Sequence, residues 1–303
     1  MSKKRPVNIA ASVRQRLLDK ARIDKRPFNE LLQYFVMERF LYRLSRSNHA
    51  DKFVLKGALM LRAWQAPLFR PTMDIDMLAR QTSNEVKQIV DLIKNVCQVV
   101  VDSDGIEFDS ESVRGENIVE DADYEGVRVL FVGKLDTVKI RMQVDIGFGD
   151  VVVPGPQETI LPTMLDFPPP CIACYSRESS IAEKFEAMVK LDELNSRMKD
   201  FYDIWLLVRQ FDFYSPHVQD AVASTLNNRG TDLPNVITAF TNTFIHAKST
   251  QWGAFRKKLD IDTVPMEFAE VNGLIQEFLG PILDGIRTQT SVKSTWTAPG
   301  PWQ

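Results

Sequence analysis

Two aspartates, Asp74 and Asp76, stand one residue apart in the segment FRPTMDIDML, which is otherwise apolar from Met73 onward. If this segment is a β-strand, both carboxylates point to one face while Met73, Ile75 and Met77 point to the other. Two carboxylates held this close repel each other unless a cation lies between them. Such oxygen ligands suit Mg²⁺, which completes its shell with water and phosphate oxygens. The pair therefore indicates a metal site, with a solvent-exposed strand end as the alternative.

A later segment, TVKIRMQVDIGF, alternates strictly and predicts a strand with one apolar face. Its polar face carries Lys139, Arg141, Gln143 and Asp145. If this strand lies beside the first two aspartates, Asp145 completes a three-carboxylate cluster able to hold two metal ions. Two such ions can activate an attacking hydroxyl and stabilise a leaving pyrophosphate. The alternative is a half-buried strand with a solvated outer face.

Several residues near the aspartates have the chemistry to contact a phosphate. Gly57, with Lys56 and Ala58 on either side, is expected where LKGALML opens a helix, so that backbone N–H groups can approach an anion closely. Arg70 and Thr72 directly precede the aspartates and could supply a charged contact and a hydroxyl. An ordinary turn and surface structure are the alternatives for these residues.

The elements that must position these residues follow from composition and periodicity. The chain has 303 residues, of which 44% are hydrophobic and 25% charged, so it can form one large domain or two smaller ones. Helical spacing near both ends and three successive strand candidates after residue 105 predict an α+β fold. The expected parts are an N-terminal helical segment (1–50), a mixed-sheet core (51–165), a C-terminal helical domain (166–290) and an irregular tail (291–303).

Other protein classes are disfavoured by the sequence. No apolar run approaches the roughly 20 residues that span a bilayer, so no membrane association is expected and the cytoplasm is the predicted location. The three cysteines and three histidines show no spacing typical of a zinc site or a hydrolase triad.

Positive charge is concentrated at the N-terminus. Residues 1–48 contain 12 Lys and Arg against 4 acids, a balance of +8, and since the whole chain carries −3 the remainder carries −11. This asymmetry is compatible with nucleic acid docking on the N-terminal segment, and equally with a solvated helical surface.

The motifs LKGALML, RPTMDIDML, VDIGFGD, IAEKFEAM and KDFYDIWLL occur in this order between residues 55 and 207. In this order they resemble the AbiEii/AbiGii toxin family of nucleotidyltransferases, which belongs to the DNA polymerase β-like superfamily. The resemblance implies a polymerase β-like mixed sheet, a turn at Gly57 and Ala58, and a D-x-D metal pair at Asp74 and Asp76. It also implies a functional lysine at Lys184, in contact with nucleotide, and an aspartate at Asp203.

The resemblance further implies Mg²⁺ or Mn²⁺ as cofactor and an NTP as substrate. The implied reaction moves a nucleoside monophosphate to an acceptor, with RNA such as the tRNA 3′ end preferred. The implied role is the toxin of a bacterial type IV toxin-antitoxin or phage abortive-infection system, with a cognate antitoxin encoded elsewhere. One departure is Ala58, because a small hydroxyl residue is often found after the glycine in the family.

Two other readings stay open at this stage. A degenerate nucleotidyltransferase fold could bind RNA or a partner without catalysis, with Ala58 as its first sign. A glycosyltransferase could use D-x-D to hold a metal against a nucleotide-sugar diphosphate, although the short distance from Gly57 to Asp74 and the AEKFEA motif disfavour it.

Overall fold

A computed structural model describes residues 8–66, 70–119, 125–259, 261–291 and 293–303. The chain divides into two compact units. The first contains residues 1–65, 71–149 and 157–174, and the second contains residues 66–70, 150–156 and 175–303. Within the described residues, no helix is both long and apolar enough to cross a membrane.

The first unit is built on a seven-stranded mixed sheet in the order β3-β4-β5-β2-β1-β7-β6. Two neighbouring pairs are parallel, β2 with β5 and β1 with β7, and the other pairs are antiparallel. The strands are β1 (Phe53–Lys56), β2 (Ile75–Ala79), β3 (Ile106–Val119), β4 (Glu125–Leu135), β5 (Val138–Phe148), β6 (Gln157–Ile160) and β7 (Cys171–Cys174). The three strands predicted after residue 105 are thus confirmed.

Four helices belong to this unit: α1 (Ile9–Asp24), α2 (Phe28–Ser45), α3 (Leu59–Ala63) and α4 (Val86–Cys97). Helix α2 covers one face of the long strands, where its Phe40 packs against Phe108 of β3 and Phe131 of β4. Helix α4 lies on the same face, because a Cβ at Gly115 would meet its valines and Gly115 is paired with the buried Val129. The polar face of β3, β4 and β5 points the other way.

Two local expectations for this unit were wrong. The segment SNEVKQIVDLIKNVCQVV predicts a helix with Ser83 as its cap, but helix α4 begins at Val86 with Glu85 as its N-cap. The Ser83 hydroxyl instead accepts a hydrogen bond from the Glu85 N–H in a turn. Strand β2 begins at Ile75, so Met73, which was expected on the strand face opposite the aspartates, precedes the strand and is 58% exposed. In both places the regular element begins later than the residue types suggest. The loop backbone is bonded by a polar side chain instead, Ser83 accepting from the Glu85 N–H and Gln33 donating to the Met73 carbonyl.

The second unit is mainly helical, with helices α5 (Arg177–Leu191), α6 (Met198–Gln210), α7 (Ser215–Arg229), α8 (Asn242–Leu259) and α9 (Phe268–Thr288). A two-stranded sheet joins β8 (Phe213–Tyr214) to β9 (Thr295–Trp296), so the segment expected to be an irregular tail contains a strand. The buried Trp296 anchors it, because its indole N–H donates to the carbonyl of Val208 at 2.6 Å. The mixed sheet of the first unit and the helices of both units confirm the predicted α+β fold class.

Candidate active site

Three carboxylates meet at the point where β2 and β5 run side by side. Parallel pairing sets Asp76 directly beside Asp145, and Asp74 lies just before β2. One oxygen from each of the three carboxylates lies within 4.8 Å of the others, and all three side chains are half-buried. Ligand oxygens about 2.1 Å from a Mg²⁺ ion stand at most about 4 Å apart, so a small inward movement would let all three bind one ion. The donor set, hard oxygens only, also fits this class of metal.

Gly57 forms the turn between β1 and α3 and packs against this cluster. Its φ is +72°, a left-handed conformation that glycine adopts without strain. A Cβ at this position would stand 1.9 Å from Oδ2 of Asp76, so only glycine leaves room for that carboxylate. Lys56 is the β1 residue paired with Asp76, and Ala58 is 4% exposed. The helix that follows has only five residues, so any phosphate contact here would rest on the turn's N–H groups and not on a long helix dipole.

Asp74 is held by a chain of hydrogen bonds that begins on α2. The hydroxyl of Thr72 donates to Oδ1 of Asp74, and the N–H of Thr72 donates to the hydroxyl of Tyr34 at 3.0 Å. Gln33 donates to the carbonyl of Met73 at 3.1 Å. Burial raises the pKa of Tyr34, so its hydroxyl stays protonated. Sequence reasoning missed Tyr34 and Gln33, because their apolar helix gives no sign that polar groups on it reach a loop 40 residues away.

Asp145 is held by Arg128, a residue that the sequence analysis did not single out. Arg128 is the β4 residue paired with Asp145, and its guanidinium makes a two-pronged contact at 2.9 and 2.7 Å. Gln143 donates to the same carboxylate at 3.0 Å. The hydrogen bond to Asp145 is the main cause of a raised pKa for Arg128, with the charge of Asp74 contributing. The one available signal was alternation in VRVLFVGKL, which puts Arg128 on the polar face of its strand.

In the second unit, Lys184 and Asp203 form a buried ion cluster with Arg70. The Asp203 carboxylate accepts two hydrogen bonds from Arg70, at 2.9 and 3.1 Å, and lies 2.8 Å from Nζ of Lys184. Lys184 also lies 3.2 Å from Asp200. Lys199 lies four residues before Asp203, a spacing that by itself predicts an exposed ion pair on the surface of α6. That prediction is wrong, since Asp203 is 2% exposed and its partners come from other segments.

The charges of this cluster stabilise one another. Burial raises the pKa of Asp203, but the stronger combined effect of Arg70 and Lys184 leaves it below its ordinary value. Burial lowers the pKa of Lys184, and the two aspartates reverse this and leave it raised. Asp203 and Lys184 are therefore both charged at neutral pH. Seven predicted residues, Lys56, Gly57, Ala58, Thr72, Asp74, Asp76 and Asp145, lie in the first unit, and Arg70, Lys184 and Asp203 lie in the second.

Most described cations of the basic N-terminal segment are engaged by acids of their own unit. The pairs are Arg16 with Asp166, Lys20 with Asp24, Arg22 with Asp19, Arg26 with Glu30, Arg39 with Glu38 and Arg43 with Asp104. Three further cations, Lys3, Lys4 and Arg5, lie outside the described residues. The described part of the segment therefore presents far less free positive charge than its composition implies.

Comparisons with known proteins found one matching family and similar solved structures. A family model described as "Nucleotidyl transferase AbiEii toxin, Type IV TA system" matches residues 39–272, well over half of the chain. Among solved structures, a "putative nucleotidyltransferase from H. pylori" is similar at 15% identity and a TM-score of 0.48, covering 86% of this chain and 98% of that chain. JHP933 from Helicobacter pylori is similar at 15% identity and a TM-score of 0.47, covering 86% of this chain and 94% of that one. No curated protein matches the sequence. The chain belongs to the AbiEii family of type IV toxin nucleotidyltransferases.

Proposed function

We propose that this enzyme transfers a nucleoside monophosphate from an NTP to RNA, with Mg²⁺ bound by Asp74, Asp76 and Asp145. The observation that carries the proposal is the meeting of these three carboxylates within 4.8 Å beside a glycine turn that leaves room for one of them. Mn²⁺ has similar ligand preferences and is expected to replace Mg²⁺.

The proposed reaction forms one bond and breaks another at the α-phosphorus. The acceptor hydroxyl oxygen bonds to this phosphorus, the bridge to the β-phosphate breaks, and pyrophosphate leaves with both electrons of that bond. Asp145, oriented by Arg128 and Gln143, is proposed to take the hydroxyl proton and pass it to solvent. When bound, the divalent ion supplies charge stabilisation to the phosphate oxygens.

Phosphate contacts are proposed in each of the two units by itself. In the first unit, the backbone N–H groups at Gly57 and Ala58, with Lys56 and Thr72 beside them, are the proposed contacts. In the second unit, Lys184 and Arg70 are the proposed cations for the triphosphate, with Asp203 holding both side chains in place. Because backbone groups do not depend on a side-chain hydroxyl, Ala58 is compatible with this role.

The proposed acceptor is RNA, with the 3′ end of tRNA as the preferred case, and the proposed outcome is growth arrest. A type IV toxin family implies an antitoxin partner, which we propose is encoded separately. Phage defence by abortive infection is the proposed biological setting. The proposed location is the cytoplasm, where both NTPs and tRNA are found.

The test is label transfer by the full-length protein. Total bacterial RNA is incubated with Mg²⁺ and each of the four NTPs, radiolabelled at the α-phosphate, and the products are separated by size. We expect one discrete RNA band to gain label with at least one NTP, and chelation with EDTA to abolish the transfer.

The control variants show whether transfer depends on the carboxylates of the proposed site or on the loss of any carboxylate. Asp74→Asn and Asp76→Asn should each abolish transfer, whereas Asp91→Asn, which removes an exposed carboxylate from α4, should retain it. Transfer that survives both site substitutions would refute the assignment of the metal site. Label on protein instead of RNA would refute the acceptor while leaving the chemistry intact.

A further inference from the structure

The polar face of β5 continues beyond the carboxylate cluster as a row of basic side chains. Gln143, Arg141 and Lys139 precede Asp145 at alternate positions of the strand, so all four side chains share one face. At a rise of about 3.3 Å per residue, Arg141 lies roughly 13 Å and Lys139 roughly 20 Å along the strand from Asp145. The row therefore leads directly away from the proposed reaction centre.

These two cations are available for a ligand. Arg141 and Lys139 are exposed, and neither makes an ion pair or side-chain hydrogen bond with any residue that the structure describes. This contrasts with the N-terminal segment, whose described cations are mostly paired with acids. Free positive charge on an open sheet face is typical of a surface that contacts a polyanion.

Strand β4, which pairs with β5, adds a second lysine and an apolar side chain to this face. Lys139 stands directly opposite Lys134 of β4, and like charges in that position destabilise a sheet. Lys134 is offset by Asp109 at 2.9 Å, but Lys139 has no such partner among the described residues. Leu130, opposite Gln143, is 41% exposed and offers an apolar contact within the row. A ligand with phosphates and flat bases would satisfy both the unpaired charge and the apolar surface.

We propose that this basic row, formed by Arg141 and Lys139 of β5 with the exposed Leu130 of β4 beside them, is the surface on which the acceptor RNA docks. The RNA strand would run along β5 with its reactive end at Asp145 and its phosphates on Arg141 and Lys139. This inference rests on the proposed function, because it assumes that the acceptor is RNA. It assigns the docking surface to the sheet face rather than to the basic N-terminal segment.

The test measures RNA binding separately from catalysis. Fluorescein-labelled bulk bacterial tRNA is titrated with full-length protein, and anisotropy is followed over a series of KCl concentrations. The double variant Lys139→Glu, Arg141→Glu should bind about tenfold or more weakly, and the slope of log affinity against log salt should fall by about two, one for each lost phosphate contact. A second variant, Lys139→Gln, Arg141→Gln, should show the same change in slope without added repulsion.

The matched control reverses the charge of two other lysines of the first unit, which have no ion-pair partner among the residues that the structure describes. Lys87 and Lys94 lie seven residues apart on α4, which packs on the opposite face of the sheet. Lys87→Glu, Lys94→Glu changes the net charge by the same amount and should leave tRNA binding within about twofold of the unaltered protein. Mn²⁺ binding, measured by electron paramagnetic resonance, should be retained by all these variants and shows that the carboxylate cluster is folded.

The outcomes distinguish this inference from the proposed function. If the unaltered protein labels RNA while the Lys139, Arg141 variants bind tRNA as tightly as the control, the docking surface is overturned and the transferase stands. If binding depends on the basic row but no NTP labels RNA, the docking surface stands and RNA transfer fails. Equal loss in the control and the test variants would also overturn the inference, since binding would then follow total charge. Binding of an acidic protein, but not tRNA, at this face would overturn it in favour of a protein partner.

Discussion

Gly57→Ala is the substitution that most directly tests how the fold builds the proposed metal site. An alanine Cβ would stand 1.9 Å from Oδ2, 2.5 Å from Cγ and 2.7 Å from Cβ of Asp76. Real Cβ atoms essentially never approach a neighbour within 3.0 Å, so the carboxylate must move by at least 3.0 − 1.9 = 1.1 Å. Catalytic groups tolerate displacements of only about 0.5 Å, and about 1 Å can cost a hundredfold in rate.

The expected result is a large loss of function with a small loss of stability. Holding alanine at positive φ costs roughly 1–2 kcal/mol, which would lower the unfolding temperature by a few degrees. We expect Mn²⁺ affinity to fall about tenfold or more, and label transfer to RNA to fall about a hundredfold. Electron paramagnetic resonance measures the Mn²⁺ affinity, radiolabel transfer measures the activity, and circular dichroism follows thermal unfolding.

Gly230→Ala supplies the control for backbone strain. Gly230 also has a positive φ, +61°, but a Cβ there would have no neighbour within 4 Å. The two variants should therefore lose similar stability, while only Gly57→Ala loses metal binding and transfer. Normal Mn²⁺ affinity and normal transfer in Gly57→Ala would refute the reasoning, because they would mean that Asp76 can leave its present position without consequence.

Two further substitutions test the ion pairs that hold Asp145 and Asp203. Arg128→Gln removes a positive charge beside the three carboxylates, so Mn²⁺ should bind more tightly by roughly 1–2 kcal/mol. Label transfer should become slower, because Asp145 loses its two-pronged contact. Weaker Mn²⁺ binding would show instead that Arg128 is needed to form the site. Asp203→Asn leaves Arg70 and Lys184 without their shared buried carboxylate and should cost about 3 kcal/mol in urea unfolding at pH 7. Because the folded pKa of Asp203 lies below its ordinary value of 3.8, its stabilising effect is present above that pH and is lost as the pH falls through the folded pKa. The difference in stability between the two proteins should therefore shrink on acidification below about pH 4, and a constant difference would contradict the charge argument.

Features that depend on one strand or helix could be predicted from the sequence, whereas contacts between distant segments could not. Strict alternation predicted β5 and put Asp145 on its polar face, because side-chain direction in a strand depends only on position within it. The same reasoning placed Asp74 and Asp76 together. It could not show that β2 pairs with β5 in parallel, with Asp76 beside Asp145, because strand neighbours far apart in sequence are chosen by packing of the whole sheet.

Side-chain partners from distant segments were likewise beyond reach of local patterns. Arg128 contacts Asp145 because of the register in which β4 pairs with β5. Asp203 pairs with Arg70 and Lys184, which come from other segments, and not with its helical neighbour Lys199. The N-terminal charge shows the same limit, because composition counts cations but does not reveal which acids fold against them.

The sequence by itself therefore determined the residue types of the site, the face on which each strand residue lies and the family to which the chain belongs. The tertiary structure decided which carboxylates meet, which cations hold them and which of the described cations have no acidic partner. The physical reason is that a periodic pattern fixes direction within one element, whereas distances between elements depend on the combined packing and hydrogen bonding of all of them.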